Sequence, residues 1–167
     1  SNISVNGKQS VGGIVGYLNS GTINEINLSG NVIGSGNYVG GAIGYSNIAG
    51  NKMKNLLLNM NVTGNNYVGG LLGFDKDGTN STLTGVLESG TLTGGSSVGK
   101  AYSYCKYHKI SINVYASSQT SGGGKGYYYN DGTYYVSNNE MLNGYDEVLD
   151  TWIGGDNDSS GYYFDYD

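Results

Sequence analysis

The sequence predicts an all-β chain wound as a parallel β-solenoid of about four coils, each 28–30 residues long, closed by a tyrosine-rich C-terminal cap. Two observations carry that expectation. A seven-residue box recurs at nearly constant spacing, and the composition is rich in glycine yet free of proline, with 31 Gly and 0 Pro among 167 residues. An average chain is about 5% proline, so about eight would be expected. Proline removes ladder hydrogen bonds, so its absence suits long runs of paired backbone, with glycine at repeated tight bends.

The box comes first. Val11-Gly12-Gly13-Ile14-Val15-Gly16-Tyr17 returns as Val39-Gly40-Gly41-Ala42-Ile43-Gly44-Tyr45 and again as Val68-Gly69-Gly70-Leu71-Leu72-Gly73-Phe74. A degenerate copy follows at Val98-Gly99-Lys100-Ala101-Tyr102-Ser103-Tyr104, so the leading valines are 28, 29 and 30 residues apart. Alternate positions sort into Val11, Gly13, Val15, Tyr17 and their counterparts, a period of two that reads as one strand per box. The opposite face is Gly-x-Gly, which leaves room for a neighbouring backbone.

The second half of each repeat carries another apolar register. Ile23, Ile26, Leu28 and Val32 match Met53, Leu56, Leu58 and Val62, then Leu83, Val86, Glu88 and Leu92. The units end alike, at Val32-Ile33-Gly34, Val62-Thr63-Gly64 and Leu92-Thr93-Gly94, and Val5-Asn6-Gly7 reads as the tail of a preceding repeat cut at the start of the sequence. Asn, Ser, Gly and Asp fill the connections, as turn chemistry requires. One such unit cannot bury its apolar face alone. Stacking does bury it, with coils about 4.8 Å apart. An up-and-down sandwich is the competing fold, but near-identity of successive units favours the solenoid.

These boxes resemble the Glug motif, over about residues 1–104. That family occurs in large surface proteins of Gram-positive bacteria and Bacteroidetes, including the non-catalytic part of some IgA-specific metallopeptidases. The resemblance implies a β-solenoid region in a secreted or wall-attached protein and supplies no catalytic residues. Lys100 departs from the motif, which has glycine there.

Residues 1–101 are therefore expected to be the solenoid repeats, and 102–167 the last coil and capping segment. Of the 17 Tyr, 13 lie beyond residue 101. Ile110–Tyr115 alternates and should stack on the third repeat. A hairpin is expected at Asn130-Asp131-Gly132, between Tyr127–Tyr129 and Tyr134–Val136. Asn139–Trp152 has the only arguable helical spacing and reads as a short helix or an irregular closing segment. Capping is needed because open solenoid ends expose strand edges and core.

Charge is segregated. Residues 1–130 hold all eight Lys against four acids, and 131–167 hold nine acids and no base, for a net charge of −5. No basic stripe exists, so a nucleic-acid partner is not expected. No apolar run approaches the roughly 20 residues of a membrane span, so no membrane insertion is expected. A single cysteine, Cys105, excludes an intrachain disulfide framework.

Four groups of residues are candidates for chemistry. Cys105 and His108 are too few for a zinc site, and a surface loop is the simpler reading. Asp75 and Asp77 form a polar turn, with Glu25 and Glu88 isolated. Asp156–Asp167 partly matches a calcium loop, but an acidic turn is favoured over it. Tyr17, Tyr45 and Phe74 share one repeat position and should stack as an aromatic ladder, through rim packing or as platforms for sugar rings. Tyr127–Tyr129, Tyr134, Tyr135, Tyr162 and Tyr163 could act likewise. No catalytic residue, metal ligand or cofactor is assigned. The expectation is a non-catalytic structural or adhesive module, extracellular or at the cell surface, forming one segment of a larger chain. Its partner would be a host protein or a glycan. The competing functions are an accessory region of a surface protease or polysaccharide-degrading enzyme, and a carbohydrate-binding module using the tyrosines.

Overall fold

The computed structural model describes residues 1–47, 49–77, 81–95, 97–99 and 102–106, and beyond these the backbone of seven strands between 110 and 165. The chain opens with β1 (Asn2–Gly7) and then repeats a three-strand coil. The first coil is β2 (Val11–Gly12), β3 (Val15–Leu18) and β4 (Thr22–Gly34). The second is β5 (Val39–Gly40), β6 (Ile43–Ser46) and β7 (Lys52–Thr63). The third is β8 (Val68–Gly69), β9 (Leu72–Asp75) and β10 (Thr82–Gly94). Strands β11 (Val98–Gly99), β12 (Tyr102–Lys106), β13 (Ile110–Ala116) and β14 (Gln119–Gly122) then pair in parallel onto β8, β9 and β10.

The result is a parallel β-solenoid with three walls, of about three turns in the described residues. The long wall runs β1-β4-β7-β10-β13, and two short walls run β2-β5-β8-β11 and β3-β6-β9-β12. Register follows the repeat. Val11 pairs with Val39, Val39 with Val68 and Val68 with Val98, all in parallel.

The box is two short strands with a corner between them, not the single strand its alternation suggests. The turn at Gly40-Gly41 is the cause. A Cβ on Gly40 would strike the carbonyl oxygen of Ile43, and one on Gly41 the carbonyl oxygen of Gly70 in the next coil. Only glycine lets backbone approach backbone that closely. After the corner Ala42 and Ile43 both turn inward and are fully buried.

The long strands also bend. Ile23 and Ile26 both belong to the apolar core and its border, although they are three residues apart. The left-handed Glu25 (φ 58°) between them shifts the alternation, and Asn55 (φ 53°) does the same between Met53 and Leu56. From there the inward positions resume their period of two, giving a core of Leu28, Val32, Leu58, Met60, Val62 and Leu92. Each such side chain contributes about 1.5–3 kcal/mol on leaving water.

Beyond the third coil, β15 (Gly126–Asn130) and β16 (Thr133–Ser137) form the expected hairpin, with Asn130 paired to Thr133 across Asp131-Gly132. Within Asn139–Trp152 the described residues are strand and not helix. That stretch contains β17 (Gly144–Asp146) and β18 (Thr151–Ile153), antiparallel to each other, and β18 pairs in turn with β19 (Tyr163–Asp165). Asn143-Gly144 is a poor helix interior, whereas β19 joins the edge strand β13 and satisfies backbone that a helix would leave open. No helix among the described residues is long and apolar enough to cross a membrane, which says nothing of a β-barrel.

Candidate functional site

Two faces of the solenoid repeat their side chains from coil to coil. The first is aromatic. Tyr17, Tyr45, Phe74 and Tyr104 occupy the third position of β3, β6, β9 and β12 and pair in register. Strand spacing of about 4.8 Å sets ring on ring. Centroids lie 5.1, 5.3 and 4.4 Å apart, with interplanar angles of 12° or less. The expected ladder is present and extends one rung further, to Tyr104.

A second column stands beside it, and sequence reasoning missed it. Tyr38 and Tyr67 are 5.4 Å apart and meet the first column at steep angles, Tyr38 against Tyr45 at 68° and Tyr67 against Phe74 at 86°. Both rings sit on left-handed backbone, φ 64° for Tyr38 and 56° for Tyr67. Ser10 holds the same conformation at the matching place in the first coil, φ 54°. That conformation turns the corner into the short wall and aims backbone groups along the stack. The Tyr38 N–H donates to Asn66 O and the Val39 N–H to Tyr67 O, each at 3.0 Å. A bulky residue there costs about 1–3 kcal/mol, which the three ring contacts of Tyr38 offset at about 0.5–1.5 kcal/mol each. The available signal was the recurrence of Tyr directly before the box valine in two copies.

Ring packing of this kind uses up ring faces. Tyr45 and Phe74 are covered on both sides by neighbours in their own column, and Tyr17, in the first coil, is mostly exposed (53%). Burial raises the Tyr45 phenol above its usual pKa of 10.0, and the Tyr17 and Tyr38 phenols and the Asp75 carboxylate raise it further.

The second face is the outer surface of the long wall. Asn31, Asn61 and Thr91 form one outward column, in which Asn61 Nδ2 donates to Asn31 Oδ1 at 3.1 Å and Thr91 Oγ1 donates to Asn61 Oδ1 at 2.8 Å. To one side Ser29, Asn59 and Ser89 are in register, and beyond them Asn27, Leu57 and Leu87. To the other side stand Ile33, Thr63 and Thr93. Ile33, Leu57 and Leu87 are exposed at 44%, 47% and 52%. Over 27–34, 57–63 and 87–94 the only charged residue is Glu88, and it points into the core. Other amide pairs, Asn24 with Asn55 and Asn37 with Asn66, tie the corners at 3.1 Å.

Among the described residues the acids do not gather into a site. Asp75 closes β9 and is buried rather than lying on a polar turn, at the place where the preceding coil has Ser46. There Ser46 Oγ accepts from Asn51 Nδ2 at 2.8 Å, and Asn51 Oδ1 accepts from the Gly21 N–H of the first coil. Glu88 is buried in register with Leu58, and Glu25 is exposed at its bend. Among the described residues no three His, Cys, Asp or Glu side chains could hold one metal ion. His108, the Cys105 side chain and the Asp156–Gly161 loop lie outside the described residues, as do the side chains of Tyr127–Tyr129, Tyr134, Tyr135, Tyr162 and Tyr163.

No family model, the Glug motif included, no curated protein and no solved structure matches the chain.

Proposed function

We propose that this chain is a non-catalytic structural and adhesive module, a Glug-type repeat segment of a larger secreted or cell-surface bacterial protein. The observation that supports it best is the coil-to-coil continuity of two side-chain ladders, one aromatic and one of amides and hydroxyls, on opposite duties of one stack. Such ladders lock each coil to the next and stiffen the stack, suited to hold a binding surface within a longer chain away from a cell. The repeated box resembles a surface-protein motif, which supports the location. A host protein or a glycan is the proposed partner.

A flow assay tests this reading. Beads carrying the whole chain should be retained on mucin- or matrix-coated glass several-fold more than bare beads. Equal retention, or turnover of polysaccharide or peptide substrates by the chain itself, would contradict it. A second reading, a carbohydrate-binding module using the tyrosines, draws on the exposed ring of Tyr17, and loss of glycan binding in Tyr17→Ala would favour it.

A further inference from the structure

The outer face of the long wall beyond its bend is neutral in the described residues and tied from coil to coil by its own hydrogen bonds. Lys52 and Lys54 stand before the bend of β7 and Glu25 at the bend of β4, and no charged side chain points outward after it in β4, β7 or the described part of β10. A surface without charge gives no advantage to a sulfated, uronic or nucleic-acid polymer, whose binding is dominated by its anions. It suits a neutral one.

The donors and acceptors are of the kind a hydroxyl-rich ligand needs. Asn61 uses one N–H toward Asn31 and one lone pair toward Thr91. A side-chain amide has two N–H groups and two lone pairs, so half of the capacity of Asn61 remains for a ligand. The ladder fixes the rotamers before any ligand arrives, which removes an ordering cost of about 0.5–1.5 kcal/mol per side chain. Beside this polar column, Leu57 and Leu87 stand exposed in adjacent coils, with Ile33 on the other side. Alternating polar and apolar strips match a pyranose, which presents hydroxyls at its rim and C–H groups on its faces.

Extent argues for a polymer. The columns repeat at about 4.8 Å along the stack, and 27–33 spans about 20 Å across it. An open surface of that size engages several sugar units from one side. The side chains also differ in reach, from Ser and Thr to Asn and Leu. That unevenness suits a glycan and disfavours a planar lattice such as ice, which needs one side-chain height throughout.

We propose that the outer face of the long wall, centred on Asn31, Asn61, Thr91, Leu57 and Leu87, is a binding surface for a neutral polysaccharide chain. This rests on the adhesive reading and makes it specific. The aromatic face is then the stiffening side of the module, because its ring faces cover one another.

The test is depletion of the whole chain from solution by insoluble cellulose, chitin, β-1,3-glucan and starch, with polygalacturonate and heparin beads as anionic comparators. Wild type should be retained by at least one neutral polysaccharide and by neither anionic one. Leu57→Glu with Leu87→Glu, both at exposed positions, should weaken retention at least tenfold while leaving the circular dichroism unchanged. Asn61→Ala should weaken it several-fold, and Tyr17→Ala should bind as wild type does. Retention by no neutral polysaccharide overturns the proposal, as does undiminished retention of the double variant. Loss in Tyr17→Ala alone would also overturn it and move the site to the aromatic face. Capture by a growing ice front, lost in the double variant, would replace the glycan with ice. If the double variant still holds beads to mucin or matrix in flow, adhesion survives and this face is not its seat.

Discussion

The short walls built from the box and the long wall stack at one pitch but hold their coils together differently. In the box, backbone presses on backbone, and the glycines at 40 and 41 are there because nothing larger fits. Its aliphatic side chains turn into the core, and its aromatic ones face outward as rings that pack on rings. On the long wall the inward side chains supply the apolar core, and the outward ones join through amides. The box wall is thus fixed by close fit and tolerates almost no change. The long wall is fixed by burial on one side only, which leaves its outer side free to vary and to bind.

The largest effect expected from that contrast is in the shared core. Ile43 has no exposure, so Ile43→Asp would place a carboxylate among apolar side chains, cost several kcal/mol and leave the chain unfolded by circular dichroism. Asn47→Asp, at a half-buried turn position, should change stability by less than about 0.5 kcal/mol. Equal melting temperatures for the two would break the assignment of inside and outside.

Next is the box backbone. Gly40→Ala should cost about 3 kcal/mol or more in a urea titration, because the Ile43 carbonyl that meets the new methyl group is itself held in the stack. A smaller change separates the two ladders. Tyr38→Asn suits the left-handed backbone but loses three ring contacts, and should destabilise by about 1 kcal/mol after the relieved strain is counted. Asn61→Ala loses two solvent-exposed hydrogen bonds, worth about 0.5 kcal/mol in all. If Asn61→Ala proves the more damaging, the amide ladder and not the aromatic one stiffens the stack.

The smallest effect is in pH. A raised folded-state pKa for Tyr45 means that the folded chain keeps its phenolic proton to higher pH than the unfolded chain does. The associated stability is fully present below the ordinary value of 10.0 and is lost as pH rises through the higher folded value. Melting temperature should therefore fall above pH 10, and Tyr45→Phe should flatten that fall. A fall of the same size in Tyr45→Phe would place its cause elsewhere.

Much of this was legible in the sequence, for a simple reason. A solenoid turns sequence period into spatial register, so Val11, Val39 and Val68, or Tyr17, Tyr45 and Phe74, had to meet once the coils stacked. What escaped was local backbone shape. Left-handed conformations are expected of Gly or Asn, so Tyr38, Tyr67 and Glu25 gave no hint of a corner or a bend. The strict alternation of the box hid its break, because glycine on both sides of a corner mimics glycine on one face of a strand. The hydrogen-bonded column of Asn31, Asn61 and Thr91 could have been found by aligning the outward positions of each repeat. Burial of Asp75 could not, since a charge before Lys76-Asp77-Gly78 reads as a turn until the wall that covers it is known.

The central claim, that successive repeats stack in parallel and in register, is tested most directly by disulfide trapping across the long wall. In a Cys105→Ser background, Asn31→Cys with Asn61→Cys places two thiols on register partners, whose Cα separation of about 4.8 Å lies within disulfide reach. Mild oxidation should close that bond within one chain, seen as a loss of two hydrogens by intact mass. Asn31→Cys with Asn59→Cys, one outward position out of register, should stay reduced under the same conditions. Closure of the second pair and not the first, or of neither, would contradict parallel in-register stacking of the coils.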